Sequence, residues 1–236
     1  VIGETSFGKG TVQNIVDLDR WPAAERQRYG QVKLTIAQFF RVSGSSTQHK
    51  GVVPDIAFPA SVDATEFGES TYDNALPWTR IAAAPHTQYG NFAPLLPKLQ
   101  ALHTARIATD KEFQWWEEDV KQFRDEKAKK YISLNEAERV AERQKQDQQR
   151  KDRQQIRKQL GLPLDPLAED SDDGLTGNER DIVKDTAREK AAEKRPDPLL
   201  HESAAILADA LGLLSQDQPL SAQVLPKSTA PGQWAD

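Results

Sequence analysis

The sequence predicts an α+β protein in which a partial sheet is followed by a mainly helical C-terminal region with long charged helices. Three observations support this fold class. Apolar and polar residues alternate along residues 31–41, as in a strand with one buried face. Apolar residues recur at steps of three and four after residue 113, which is the spacing of one helix face. Residues 139–157 then contain almost no apolar side chain, as expected of a helix that is exposed to solvent.

The strand predictions all fall early in the chain. The alternation in residues 31–41 places Val32, Leu34, Ile36 and Phe40 on one face, which we expect to be buried. An earlier strand is predicted over residues 11–18, joined to the first by residues 21–29. A short strand at residues 52–53 is expected to stop at Pro54, which has no N–H for a central ladder.

The helix predictions follow from periodicity and from end signals. A helix is expected after Pro97, and a second carries a stripe from Phe113 to Phe123. Ser133 and Glu136 have the spacing of a capping box, which predicts a helix that runs to Leu160 and ends at Gly161. Polar and amphipathic helices are predicted over residues 181–194 and 199–214. The stripe expected to be buried in the latter is Leu200, Ala204, Leu207 and Leu211.

Composition and charge divide the chain into four segments. Residues 1–58 hold the strands, 59–109 are a proline-rich irregular crossover, 110–214 are helical, and 215–236 form a flexible tail. An acidic loop is expected near residues 169–177. Because the chain begins at Val1 within an apolar pattern, we expect a fragment of a longer protein.

The composition excludes several classes of function. The chain has 236 residues and a net charge of −5, which argues against nucleic-acid binding because that needs a clustered basic face. It has no cysteine, so disulfides, thiolate catalysis and thiolate metal sites are excluded. The longest apolar stretch, near residues 204–214, is interrupted by Asp209 and is too short for a transmembrane segment.

The first candidate site is the glycine-rich segment GETSFGKGTVQ of residues 3–13. Gly3, Gly8 and Lys9 fit the skeleton of a phosphate-binding loop. However, Gly10 stands where that loop needs a hydroxyl side chain to hold Mg²⁺. The β-favouring Thr11 and Val12 also argue against the helix that should follow.

The alternative for this segment is a lysine general base. A lysine amine can accept a proton from a serine hydroxyl only when it is neutral, a form that burial beside apolar walls favours. Gly8 and Gly10 would let the backbone approach a substrate closely. Gln13 is four residues from Lys9, so its amide oxygen could orient the amine from the same face. The interpretation without a catalytic role is a surface lysine in a glycine-rich connection between strands.

Residues 3–13 closely resemble the lysine motif of the carboxy-terminal processing proteases, the tail-specific protease family of serine peptidases. Further stretches agree in order and spacing: TIAQFFRVSG at 35–44, STQ at 46–48, KGVVPDI at 50–56 and DNALPW at 73–78. The resemblance implies that Lys9 is the general base and Gln13 the residue that orients it. It also implies that the catalytic serine and a PDZ domain lie before Val1, so the chain alone is expected to be inactive.

The resemblance implies further properties of the whole protein. No cofactor or metal is expected. The substrates would be proteins with apolar, unstructured C-termini, and an adaptor protein is a possible partner. The family setting is the Gram-negative periplasm, peripheral to the inner membrane in some cases. The alternative from a different class is a non-catalytic helical protein-interaction module.

Other polar residues are not assigned a site. The four histidines are scattered and show no ligand spacing, so a metal site is not expected. The aspartates at 170, 172 and 173 lack the glycine and glutamate positions of a calcium loop. Ser6, Ser43, Ser45 and Ser46 match no nucleophile motif.

Overall fold

A computed structural model describes residues 1–20, 29–168 and 182–225, and it has the predicted fold class. Short strands occupy the first part of the chain, and helices form most of the rest. The chain divides into two compact units, one built from residues 1–109 and 202–236 and the other from residues 110–201. The predicted connection over residues 21–28 and the predicted acidic loop lie outside the described residues.

Four strands form two small sheets in the first unit. β1 (Ile2–Gly3) pairs in parallel with β4 (Ile56–Ala57). β2 (Thr11–Asp17) pairs antiparallel with β3 (Gln31–Gln38). A register shift between Val12 and Gln13 places Gln13 opposite Thr35, which leaves one extra residue on β3.

The strand expected at Val52–Val53 lies instead beyond Pro54, at β4. Proline cannot donate a ladder hydrogen bond, but Asp55 and Ile56 can, and both donate their N–H groups to the Val1 carbonyl. Phe58 then donates to the Gly3 carbonyl at 2.9 Å. Pro54 therefore precedes a strand rather than ending one.

The β2–β3 ribbon leaves its apolar side chains exposed. β3 forms as the alternation predicts, but Leu34 and Ile36 are 46% and 62% exposed, so the expectation of a buried face was wrong for this chain. Ile15 of β2 is 60% exposed as well. The periodicity predicted the strand correctly, whereas its burial depends on a covering surface that these residues do not supply.

Helices and irregular segments make up the rest of the first unit. α1 (Ala64–Phe67) is capped by the Asp63 side chain, and α2 (Leu96–Ile107) has Pro97 in its first turn. α6 (Pro198–Gln216) and α7 (Gln218–Val224) lie near the end of the described chain. The buried apolar residues of this unit lie on or next to β4, α2, α6 and α7: Ile56, Phe58, Leu95, Leu99, Ile206, Leu220 and Val224.

A buried cluster of charged side chains joins α2 to α6. The Glu202 carboxylate is 2% exposed and lies 2.8 Å from Nδ1 of His103. Arg106 donates two hydrogen bonds to Glu202 and a third to Asp209. The hydrogen bonds that Arg106 donates to Glu202 raise the pKa of Arg106 above its usual range. Because the acid is paired and fully hydrogen-bonded, the cost of burying it is offset.

The end of the described chain departs from two expectations. The predicted stripe of α6 is largely exposed, with Leu200, Leu207 and Leu211 each above 59%, and the helix buries Glu202 and Ile206 instead. Residues 218–225, expected to be part of a frayed tail, include α7. Asp217 caps α7 by accepting from Leu220, and this bond, with the ion pair to Lys98, lowers the pKa of Asp217.

The second unit contains α3 (Lys111–Ala128), α4 (Glu136–Leu160) and α5 (Ile182–Ala192). α3 buries Phe113 and Val120 as predicted, together with Trp115, while Phe123 is exposed. α4 ends at Gly161 in the left-handed region, as predicted. Its N-cap is Asn135 rather than Ser133, because the Asn135 amide oxygen reaches the N–H groups of Ala137 and Glu138.

Arginines rather than apolar residues hold α4 against α3. α4 has no buried residue along its described length. Arg157 donates two hydrogen bonds to Glu112, which raise the pKa of Arg157, and Arg153 pairs with Asp119 and Glu118. Both guanidinium groups lie within 6 Å of the Trp115 ring centre. These contacts explain how α4, although it is so polar, packs against α3.

Candidate active site around Lys9

The loop that carries Lys9 runs between β1 and β2 and is packed against residues 46–52. A Cβ on Gly8 would come 3.0 Å from the His49 backbone, and one on Gly10 would come 2.7 Å from the Gln48 nitrogen. Gly8 also has a φ of 89°, which favours glycine. In this chain the two glycines therefore allow a close approach between two loops, whereas the sequence predicted a close approach to a substrate.

Hydrogen bonds fix the backbone on both sides of Lys9. Gly8 accepts from the His49 N–H at 2.8 Å, and the Lys9 carbonyl accepts from the Thr47 hydroxyl at 3.3 Å. Gly10 donates its N–H to Oε1 of Gln48 at 2.7 Å. Further along the loop, Ser6 and Val52 exchange two bonds. The position of the lysine is thus set by contacts with a loop about forty residues further along the chain.

The Lys9 amine points toward a carboxylate. Its Nζ atom lies 3.9 Å from Oε1 of Glu69, and the lysine side chain is 41% exposed. Glu69 is only 7% exposed. The dry apolar pocket expected around a lysine base is not formed by the described residues, which place the amine at a partly open surface beside one buried acid.

Gln13 lies on β2 at the register shift. Its amide donates a hydrogen bond to the Thr35 hydroxyl at 3.4 Å across the ribbon. Within the described residues no hydrogen bond joins it to the Lys9 amine. The orienting role predicted for Gln13 therefore remains a prediction.

Sequence reasoning assigned no role to three residues that support this loop: Gln48, His49 and Glu69. Gln48 is fully buried, and its amide bonds both Gly10 and Glu69. His49 adopts a φ of 63°, and its Nε2 atom is buried with no hydrogen-bond partner among the described residues. A strained residue of this kind costs about 1–3 kcal/mol and is common at functional sites. A signal for Gln48 and His49 was available, because Gln48 lies within the family-like stretch 46–48 and His49 lies between that stretch and residues 50–56.

The serines of the first unit serve the local backbone. Ser6 accepts from Val52, Ser46 accepts from Gln48, and Ser43 shares a bond with Ser45. None of these hydroxyls is bonded to the Lys9 amine in the described part of the chain. They therefore form turns and loop contacts here, which agrees with their sequence context.

A polar cavity lies in the second unit. It encloses about 490 Å³, and five arginines of α4, α5 and the segments beside them line it: Arg150, Arg153, Arg157, Arg188 and Arg195. Carboxylates already neutralise much of this charge, since Arg157 pairs with Glu112, Arg153 with Asp119 and Arg195 with Asp165. The cavity is therefore part of the ionic framework of this unit.

The described residues contain neither a metal-binding cluster nor a helix that could cross a membrane. Among the described residues, no cluster of histidine, aspartate and glutamate side chains has the arrangement needed to hold a metal ion. In the same part of the chain, no helix is long and apolar enough to cross a membrane.

Comparison with known proteins assigns a family to both parts of the chain. Residues 1–58 match the model of Peptidase family S41, and residues 62–212 match that of the C-terminal domain of tail specific protease. The tail-specific protease of Haemophilus influenzae is 42% identical over 159 residues, which cover 64% of this chain and 22% of that protein. The aligned region thus spans about a fifth of the length of that relative. The chain belongs to the tail-specific protease family.

Proposed function

We propose that this chain is the C-terminal part of a serine endopeptidase that selects proteins by their apolar, unstructured C-termini, with Lys9 as the general base. The observation that carries this proposal is the Lys9 loop. Its backbone is fixed on both sides by hydrogen bonds, it lies in the peptidase-like segment, and its amine remains accessible. A fixed backbone with an accessible amine is what proton transfer to a second group requires.

The proposed chemistry needs a nucleophile from another part of the protein. The neutral Lys9 amine would remove the proton of a serine hydroxyl, and the oxygen would attack the peptide carbonyl carbon. The lysine would then give this proton to the departing amine, and water would release the acyl group by the same sequence. Gln13 would orient the amine once the site is complete. No metal or cofactor is needed for these steps.

The exposed face of the β2–β3 ribbon supports the same proposal. A two-stranded ribbon with an exposed apolar face is marginal by itself. Leu34 and Ile36, which the alternation of β3 places on one face, would be buried against the remainder of a peptidase domain. That domain would also exclude water from around Lys9 and favour the neutral amine.

Two properties of the whole protein are proposed on the resemblance alone. Its place would be the periplasm of a Gram-negative bacterium, and an adaptor protein would deliver some substrates. A second function, as a helical interaction module, is favoured by one observation. The exposed stripe of Leu200, Leu207 and Leu211 on α6 provides apolar surface of the kind that a partner could cover.

The test is hydrolysis of a matched pair of unfolded substrates by the full-length protein. The two substrates differ only in their last residues, which are apolar in one and charged in the other. The proposal predicts faster hydrolysis of the apolar-tailed substrate by at least about tenfold, which corresponds to about 1.4 kcal/mol. The chain of residues 1–236 alone should hydrolyse neither. Equal rates for the two tails, or turnover by the chain alone, would contradict it.

A further inference from the structure

A buried carboxylate from outside the peptidase-like segment lies beside Lys9. Glu69 follows α1 in the short turn Glu69–Thr71, within the residues that match the C-terminal domain of tail-specific proteases. Its Oε1 atom is 3.9 Å from the Lys9 amine, which belongs to the peptidase-like segment. The C-terminal domain thus contributes a charged group directly to the surroundings of the lysine.

The same carboxylate oxygen also fixes the loop after Lys9. Gln48 donates its Nε2 hydrogen to Oε1 of Glu69 at 3.2 Å, and its own Oε1 accepts from the Gly10 N–H at 2.7 Å. Because each end of the buried amide is bonded, Gln48 has one orientation. Movement of Glu69 would therefore be transmitted to the backbone next to Lys9.

Glu69 fixes the loop before Lys9 as well. Its backbone N–H donates to the Phe7 carbonyl at 2.9 Å. The residue thus contacts the loop on both sides of the lysine and faces the side chain between them. A shift of the turn at residues 69–71 would displace all three contacts together.

The charge of Glu69 needs an explanation beyond anchoring. Burying a carboxylate is unfavourable unless partners offset the loss of hydration, and the oxygen of a neutral amide could also accept the hydrogen bond from Gln48. The partner that distinguishes a charge from a neutral group is the lysine amine at 3.9 Å. Attraction over this distance acts on the protonated amine, so it restricts where the amine lies once the lysine has accepted the serine proton.

We propose that Glu69 is a positioning residue through which the C-terminal domain aligns the Lys9 amine with the nucleophile. This inference rests on the proposed role of Lys9 as the general base. Alignment matters because a displacement of about 1 Å at a reacting group can cost about a hundredfold in rate. The C-terminal domain would then act on catalysis itself, in addition to any role in selecting substrates.

The experiment compares Glu69→Gln, Glu69→Ala and the control Glu66→Ala in the full-length protein, with an apolar-tailed substrate. Glu66 lies on α1, a few residues away, with an exposed side chain. We expect Glu69→Ala to lower kcat by about 10- to 100-fold with KM within about twofold. Glu69→Gln should fall between Glu69→Ala and wild type, since its amide oxygen can still bond Gln48. Glu66→Ala should match wild type.

Unchanged kcat in both Glu69 variants would overturn the inference, and so would a raised KM with unchanged kcat, which indicates substrate binding instead. If Glu69→Ala does not fold, Glu69→Gln decides by the same criteria. An active wild type with unaffected variants would contradict this inference alone. A wild type without tail-dependent hydrolysis would overturn the proposed function and this inference with it.

Discussion

At the scale of single residues, the contact between the Lys9 loop and residues 46–52 depends on glycines. Gly51 has a φ of 63°, and a Cβ there would lie 2.1 Å from the Ser6 carbonyl oxygen. Gly161, at the end of α4, has a φ of 67° but meets no atom within 4 Å. The two glycines therefore share a backbone conformation and differ in the space around them.

This difference predicts different costs for the same substitution. Gly161→Ala should lower the free energy of unfolding by about 1 kcal/mol, the cost of left-handed backbone for a residue with a Cβ. Gly51→Ala should cost about 3 kcal/mol or more, because the two loops must separate as well. Urea denaturation of both variants measures this. Equal losses would show that the loops near Lys9 are not in close contact.

The residues nearest the proposed chemistry differ in how readily their roles can be predicted from the sequence. Lys9 and its flanking glycines form a dense local motif, so their importance could be predicted directly. Glu69 lies far along the chain, in a segment read only as an irregular crossover. Its partnership with Lys9 and Gln48 arises from tertiary packing, which neither periodicity nor spacing reports.

At the scale of secondary-structure elements, type was easier to predict than environment. The helices α2 to α6 lie close to their expected positions because their periodicity and end signals agree. The prediction of which face of α6 is buried was wrong. The helix buries Glu202, which bonds His103 and Arg106 on α2, and the leucines of the predicted stripe remain exposed. Apolar periodicity alone cannot identify a helix face that is buried through ion pairs.

The α2–α6 cluster leads to a prediction of its own. Glu202→Ala should lower the free energy of unfolding by about 3 kcal/mol or more, since it leaves His103 and Arg106 without their shared acceptor. The matched control is Glu142→Ala, which breaks the exposed pair with Arg139 on α4 and should cost less than about 1 kcal/mol. Denaturant titration would contradict this interpretation if the two losses were similar.

At the scale of the whole molecule, the compact units do not coincide with the similarity to known families. The peptidase-like segment ends at residue 58, yet one compact unit combines it with residues 59–109 and with α7. The division into four segments was based on composition. Composition does not show which distant segments of the chain belong to one compact unit. The consequence for function is that part of the C-terminal domain shares a unit with Lys9.

The central claim is that Lys9 acts as a base, and the alternative is that its charge only pairs with Glu69. Lys9→Arg in the full-length protein separates the two most directly, because arginine keeps the positive charge near Glu69 but cannot be deprotonated. Lys151→Ala, an exposed change on α4, is the control. With an apolar-tailed substrate, we expect folded Lys9→Arg to lose at least about 100-fold in kcat, close to Lys9→Ala. A Lys9→Arg protein with near wild-type kcat would show that the lysine is an ion-pair partner and not the base.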